Sequence, residues 1–343
     1  KASFFNELLL DQSNLIQTPY KIQGFDTWVT TFRAENSLKV FKEISDQIYV
    51  DIMADYSYYN REKLNYVKDM TTLENTLVPD PLQHDTSIFE AIFTRGMLNY
   101  NSLNGKLNIQ TGYDFNLEYA SGKRIKDGNQ NIQDYAGYTV LKWNVLKGLL
   151  IQPGIRYSYN TKFKAPLAPS FNIKYNLYNF GIRASYARGF RAPSLKELYL
   201  DFVDTNHFLK GNEDLEAEYS HSYNASLSGS FGNQTHAFDF VLKGYYTSLK
   251  NMITLIHIDP DNDLHYSNVN IDEAQRMGGQ LDLRYKFSPH MKLNFGISRL
   301  GRHNSNFPDD EMIFSNNLNA GLTFNFFKNT ATASLFYKFN GIY

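Results

Sequence analysis

Hydrophobic and polar residues alternate along most of this chain. Residues 107–119 read LNIQTGYDFNLEY. Leu107, Ile109, Tyr113, Phe115, Leu117 and Tyr119 fall on one side of an extended backbone; Asn108, Gln110, Asp114, Asn116 and Glu118 fall on the other. A period of two marks a strand with one apolar and one polar face, because successive side chains of a strand point in opposite directions. The alternation recurs at 171–177, 180–186, 281–287, 293–297, 318–324 and 335–339. Segments of about twelve residues are twice the usual globular strand of about 5–6. The pattern predicts roughly fifteen strands.

The connections alternate too. Short turn signals stand at Asn104-Gly105, Lys147-Gly148, Tyr178-Asn179, Gly232-Asn233, Ser288-Pro289 and Lys328-Asn329. Between them lie longer polar stretches at 72–85, 122–130, 191–215, 257–266 and 302–311. A soluble sandwich or propeller would have shorter strands, with turns every ~8–12 residues. A propeller would also repeat at a fixed period, and none is evident. The rhythm predicts an all-β fold, a transmembrane antiparallel β-barrel, with tight turns at one end and long loops at the other. Tyr and Phe at strand ends suit the two bilayer interfaces. The inward residues are polar, and so many strands enclose a lumen too wide for side chains to fill. Such a lumen is a water channel or holds a plug, and no segment of this sequence reads as one.

Composition narrows the classes. Lys+Arg 34 against Asp+Glu 35 gives a net charge of -1, without the basic excess that nucleic-acid binding calls for. Cysteine is absent, which removes disulfides and thiol chemistry. Phe 26 and Tyr 25 make up most of a 15% aromatic content, while mean hydropathy is only -0.44. No run approaches the ~18 apolar residues of a membrane helix. The opening KASFFNELLL carries no signal peptide and reads as the interior of a longer chain. Catalysis finds no support: there is no Gly-x-Ser-x-Gly elbow, no His-Glu-x-x-His and no phosphate loop. Ser220 and His221 are adjacent and point to opposite faces of a strand. The expectation is a protein that is not an enzyme.

One stretch breaks the rhythm. Residues 189–218 read GFRAPSLKELYLDFVDTNHFLKGNEDLEAE. Gly189 to Pro193, followed by Leu195, Glu197, Leu198 and Tyr199, resembles a box of the TonB-dependent outer-membrane receptors. Gly211, Asn212, Glu213, Asp214, Leu215, Glu216, Ala217 and Glu218 resemble the family's second box. Glu213 and Ala217 stand where prolines are usual, which loosens the turn. A third likeness runs from Asn268-Val269-Asn270 through Ala274 to Gly278-Gly279-Gln280-Leu281. The style of FNIKYNLYNFGIRASYARGFRAPSLKELY is similar to receptors of the Bacteroidetes.

The resemblance implies a 22-stranded barrel, of which residues 1–343 form part, preceded by a plug domain outside this sequence. It implies an incomplete last strand at Gly341-Ile342-Tyr343. It implies import of a scarce metal chelate driven through TonB, among outer-membrane lipids, with a surface lipoprotein as a further partner over the loops. In haem receptors of the family a histidine between the two boxes is an axial ligand, which assigns His207 to haem iron. Neutral imidazole suits that role, and a Tyr199 phenolate is the second choice. Phe202 and Phe208 would stack on a porphyrin, and Arg191 completes the candidate set. Cobalamin or a ferric siderophore is the alternative cargo, because the boxes do not report the ligand. A passive porin-like channel and an adhesion barrel are alternatives of other classes. No resident cofactor is expected. His257 and His265 flank a second loop and are weaker ligand candidates. Asp259, Asp261, Asn262 and Asp263 have oxygen-rich spacing but lack the Gly and Glu of a calcium loop. His84, His221, His236, His290 and His303 show no metal-ligand spacing.

Overall fold

The computed structural model describes residues 1–343 except 18, 204–207, 234, 259–264, 306–310, 327–329 and 342–343; for Leu82 and Val203 it describes the backbone alone. The chain begins with β1 (Ala2–Gln12), β2 (Ile16–Gln17), β3 (Ile22–Ser45), β4 (Ile48–Asp69), β5 (Asn75–Leu77) and β6 (Asp85–Asn101). It continues with β7 (Leu107–Gly122), β8 (Asn129–Leu146), β9 (Leu149–Asn160), β10 (Ala168–Leu177) and β11 (Phe180–Arg191). A helix α1 (Leu195–Tyr199) and the short strands β12 (Phe202–Val203) and β13 (Phe208–Lys210) follow. Last come β14 (Glu218–Gly232), β15 (Ala237–His257), β16 (His265–Ser288), β17 (Met291–Asn304), β18 (Ile313–Phe326) and β19 (Ala331–Asn340). Setting aside the two- and three-residue strands β2, β5, β12 and β13, fifteen long strands remain, as the alternation predicts.

Each long strand pairs antiparallel with the next long strand in sequence, from β1–β3 to β18–β19. Among the described residues no ladder joins β1 to β19. Of the predicted short turns, Asn104-Gly105, Lys147-Gly148, Tyr178-Asn179, Gly232-Asn233 and Ser288-Pro289 all fall at one end of the sheet. Lys328-Asn329 lies outside the described residues, between β18 and β19. A further turn at Asp46-Gln47 joins β3 to β4. At Gly148 the backbone adopts φ +86°, and a Cβ there would meet the Asn176 carbonyl at 2.3 Å, so the turn requires glycine.

Register assigns the faces. Ile182 sits opposite Leu227, Leu227 opposite Leu242 and Leu242 opposite Leu281. On this face Ile182, Leu242, Tyr157 and Tyr223 are exposed, Tyr157 by 64%. A broad exposed apolar surface suits a lipid surround. Tyr186, Tyr223 and Tyr246 form a row across β11, β14 and β15, with ring centroids 5.1 and 6.4 Å apart. Phe180, Phe231 and Phe240 form another row toward the short turns, at 5.3 and 6.4 Å. The two rows bound the apolar band as interfacial girdles do. The opposite face carries Arg95, Asp114, Arg183 and Lys243. The connection after β11 crosses that face to reach β7 and β8.

Candidate functional site: the loop between beta11 and beta14

The connection 192–217 folds inward because its sequence supplies both a cap and an apolar side. Ser194 is the N-cap of α1: its hydroxyl accepts the Glu197 amide, and the Glu197 carboxylate accepts the Ser194 amide at 2.7 Å. Five residues make a marginal helix, so packing must hold it. Leu195, Leu198 and Tyr199 are buried against Ala120, Ile125, Ile132, Leu215 and Ile253. Beyond the helix, Leu200 forms an isolated antiparallel bridge with Ile125, and the Asp201 amide donates to the Arg124 carbonyl at 2.8 Å. Lys126 pairs with Glu213 and adds a charged contact to the crossing.

Arg191 holds the roots of the loop. Its guanidinium donates a two-pronged pair of bonds to Glu218, at 2.7 and 2.8 Å, and a third to Glu197 at 3.0 Å. Glu218 also accepts the Ile253 amide at 2.6 Å. These groups lie beyond the Tyr186–Tyr223–Tyr246 row. The Glu218 bonds raise the Arg191 pKa further, and the guanidinium stays charged. Burial pushes the Glu218 carboxyl up, but the bonds from Arg191 and the Ile253 amide outweigh it and its pKa is lowered. Arg191 was expected to touch ligand; in the structure its donors face two carboxylates.

The three sequence motifs meet here. The Asn212 side-chain amide donates to the Asn268 carbonyl at 2.8 Å. The Asn270 side chain accepts the Glu216 amide at 2.8 Å and donates to the carbonyls of Glu216 at 3.0 Å and Asn251 at 2.8 Å. Asparagine suits this node because one side chain both donates and accepts. The Gly278 position is explained by its neighbour: a Cβ there would meet the Tyr245 ring at 2.6 Å.

The other expected ligand residues separate. Tyr199 is 9% exposed, and its hydroxyl accepts from the Lys162 ammonium at 2.9 Å. Phe202 lies under the Arg124 guanidinium at 4.5 Å. Phe208 meets His265 edge-on, with centroids 4.0 Å apart, because β13 runs parallel to the start of β16. His257 pairs in register with Tyr266, which brings both histidines of the second loop to adjacent strands. His207 lies outside the described residues, as do Asp259, Asp261, Asn262 and Asp263. His221 accepts or donates to the Tyr186 hydroxyl at 2.9 Å on the lipid-facing side, away from Ser220.

Beneath the loop opens a cavity of about 700 Å³, walled by Phe93, Phe190 and Pro193 and by the trio Arg95, Asp114 and Arg156. Asp114 is buried and bridges both arginines. Sequence reading missed this trio, since its members lie on β6, β7 and β9 and only register brings them together.

Comparison with known proteins places this geometry. The family model described as "TonB dependent receptor-like, beta-barrel" matches residues 5–341. A hemoglobin and hemoglobin-haptoglobin-binding protein B of Haemophilus influenzae is 24% identical over 244 residues, 61% of this chain and 22% of that protein. The chain thus spans about a fifth of the length of that curated relative. The siderophore receptor PirA from Pseudomonas aeruginosa superposes with a TM-score of 0.61 at 15% identity, covering 99% of this chain and 72% of that one. The Serratia marcescens hemophore receptor HasR, solved with its hemophore HasA and heme, gives 0.56 at 11% identity, covering 93% and 63%. At such identities the structural likeness concerns the fold.

Proposed function

Because the chain belongs to the TonB-dependent receptor β-barrel family, we propose that it serves an importer of scarce metal chelates, with haem the favoured cargo. The family consists of outer-membrane receptors of Gram-negative bacteria that work with TonB. The observation that carries the haem reading is the likeness to the hemoglobin-binding protein over 61% of the chain. The loop geometry agrees with it. Aromatic side chains stand at the loop end, Phe208 beside His265, where a flat apolar ring would be captured before entering a polar lumen.

In this reading the loops take up the chelate, the lumen offers hydrated passage and a plug domain, driven through TonB, gates it. His207 would bind haem iron through its imidazole, with Phe202 and Phe208 near the ring. Tyr199 and Arg191 act instead through the fold of the loop, one within its apolar anchor and the other at its roots. Cobalamin or a ferric siderophore is the second reading, the latter favoured by the likeness to PirA. A surface lipoprotein over the loops is a further proposed partner, and the Bacteroidetes character of the sequence belongs with it.

The test is a titration of haem into the full-length receptor in detergent, followed by the Soret band, in parallel with His207→Ala. Tight binding that weakens at least tenfold in the variant supports the reading. No haem binding overturns haem as cargo and leaves the family assignment standing.

A further inference from the structure

The lipid-facing side of the sheet carries a groove that the packing of the protein does not call for. Ile173 on β10 sits opposite Ala184 on β11, Ala184 opposite Ala225 on β14, Ala225 opposite Gly244 on β15 and Gly244 opposite Gly279 on β16. From Ala184 to Gly279 the side chains are small, and they floor a trough across four strands. One wall is Phe171 with the row Tyr186, Tyr223 and Tyr246; the other is Ile182, Leu227, Leu242 and Leu281. Beside the tyrosine wall the groove has a volume of about 460 Å³. The fold does not require glycine on its floor. Among the described residues, a Cβ on Gly244 would meet only the Gly278 carbonyl at 3.8 Å, and one on Gly279 only the Lys243 carbonyl at 3.9 Å, both ordinary contacts. Glycine inside a strand weakens it, and where the protein has room for a side chain it marks the close approach of something else.

Beyond the tyrosine row, toward the loops, the same face turns basic. By alternation Arg188 follows Tyr186 on it, opposite His221, and Lys250 lies opposite Tyr219. Among the described residues the side chains of Arg188 and Lys250 make no ion pair, and the Arg188 Nε is buried without a hydrogen-bond partner. The outward positions of β10, β11 and β14, and of β15 as far as Lys250, hold no acidic residue; Glu273 on β16 stands opposite Lys250. Each of these strands is paired on both sides, and a plug in the lumen leaves their outer face untouched. We propose that this face is a binding site for a phosphate-bearing membrane lipid. One acyl chain lies in the trough against the tyrosine and leucine walls, and the phosphate sits at headgroup level between Arg188 and Lys250, Arg188 offering its fork. A second copy of the chain packed here by two-fold symmetry would set cations against cations. The site is independent of the cargo that the loops take up.

The experiment titrates dioleoyl phosphatidic acid into the full-length receptor in neutral detergent and counts bound lipid by native mass spectrometry. The parent is expected to retain it, and to retain dioleoylglycerol, which has the chains without the phosphate, and glycerol 3-phosphate, which has the phosphate without the chains, far less. Arg188→Gln combined with Lys250→Gln should raise Kd about tenfold by removing the charge-assisted bonds. Gly244→Val should raise it by a similar factor by filling the trough, and a β-branched residue suits the strand, so that the folded, heat-modifiable band is kept. A Kd within about twofold of the parent in the folded charge variant overturns the site, whether or not Gly244→Val folds. Equal retention of dioleoylglycerol overturns the phosphate assignment, and equal retention of glycerol 3-phosphate overturns the groove. A receptor dimer that Gly244→Val dissolves, with no lipid retained by the parent, gives the face to a second copy and overturns the lipid.

Discussion

At the scale of single residues, Arg191 shows how strand pairing gives a motif side chain neighbours that its place in the sequence does not reveal. Its position beside Ala192-Pro193 in a loop invited a ligand role. Its hydrogen bonds to Glu218 become visible only when β11 and β14 are paired, since Glu218 is 27 residues away in sequence. Arg191→Ala should loosen the loop by about 1–2 kcal/mol, because the guanidinium is partly exposed and the pair is screened. Hydrogen exchange of the α1 amides would read this as a roughly tenfold loss of protection. A pH dependence follows from Glu218. Its folded-state pKa is lowered, so the clamp is complete above the ordinary glutamate range and is lost as pH falls through the folded value. Protection of α1, corrected for intrinsic exchange, should fall as acid protonates Glu218 below the ordinary glutamate range, and Arg191→Ala should flatten that dependence.

At the scale of elements, the long strands were legible because each separates lipid from a wet lumen, and that partition writes a period of two into the sequence. Turns with Gly, Asn or Pro were legible for the same reason that those residues fit tight bends. Asp46-Gln47 was not, having neither glycine nor proline, and the loops 13–21 and 161–167 were passed over. Helix α1 was equally hidden: five residues are too few for a helical period, and its cap is recognisable only once Leu195 and Leu198 find the far strands. Leu198 is 2% exposed. Leu198→Asp would bury an unpaired carboxylate, costing about 3–5 kcal/mol, and should free the loop. Limited proteolysis should then cut between 192 and 217 while the barrel band survives. At the other end, Gly148→Val should clash with the Asn176 carbonyl and slow or block assembly of β8 and β9. Loss of the heat-modifiable form on a gel would register it.

At the scale of the whole molecule, fold and family agree, and the ligand is the part that sequence carries least. The polar face was expected from alternation, but the Arg95–Asp114–Arg156 trio depends on register across several strands. The loop 192–217 leaves β11 and fastens to β7 and β8 across the polar face of the sheet, at Ile125, Arg124 and Lys126. In mechanical terms the loop is a tie rod between strands that are not neighbours, β11 on one side and the β7–β8 connection on the other. A pull on the loop from outside therefore reaches β7 and β8 directly, without passing along the ladders of β9 and β10.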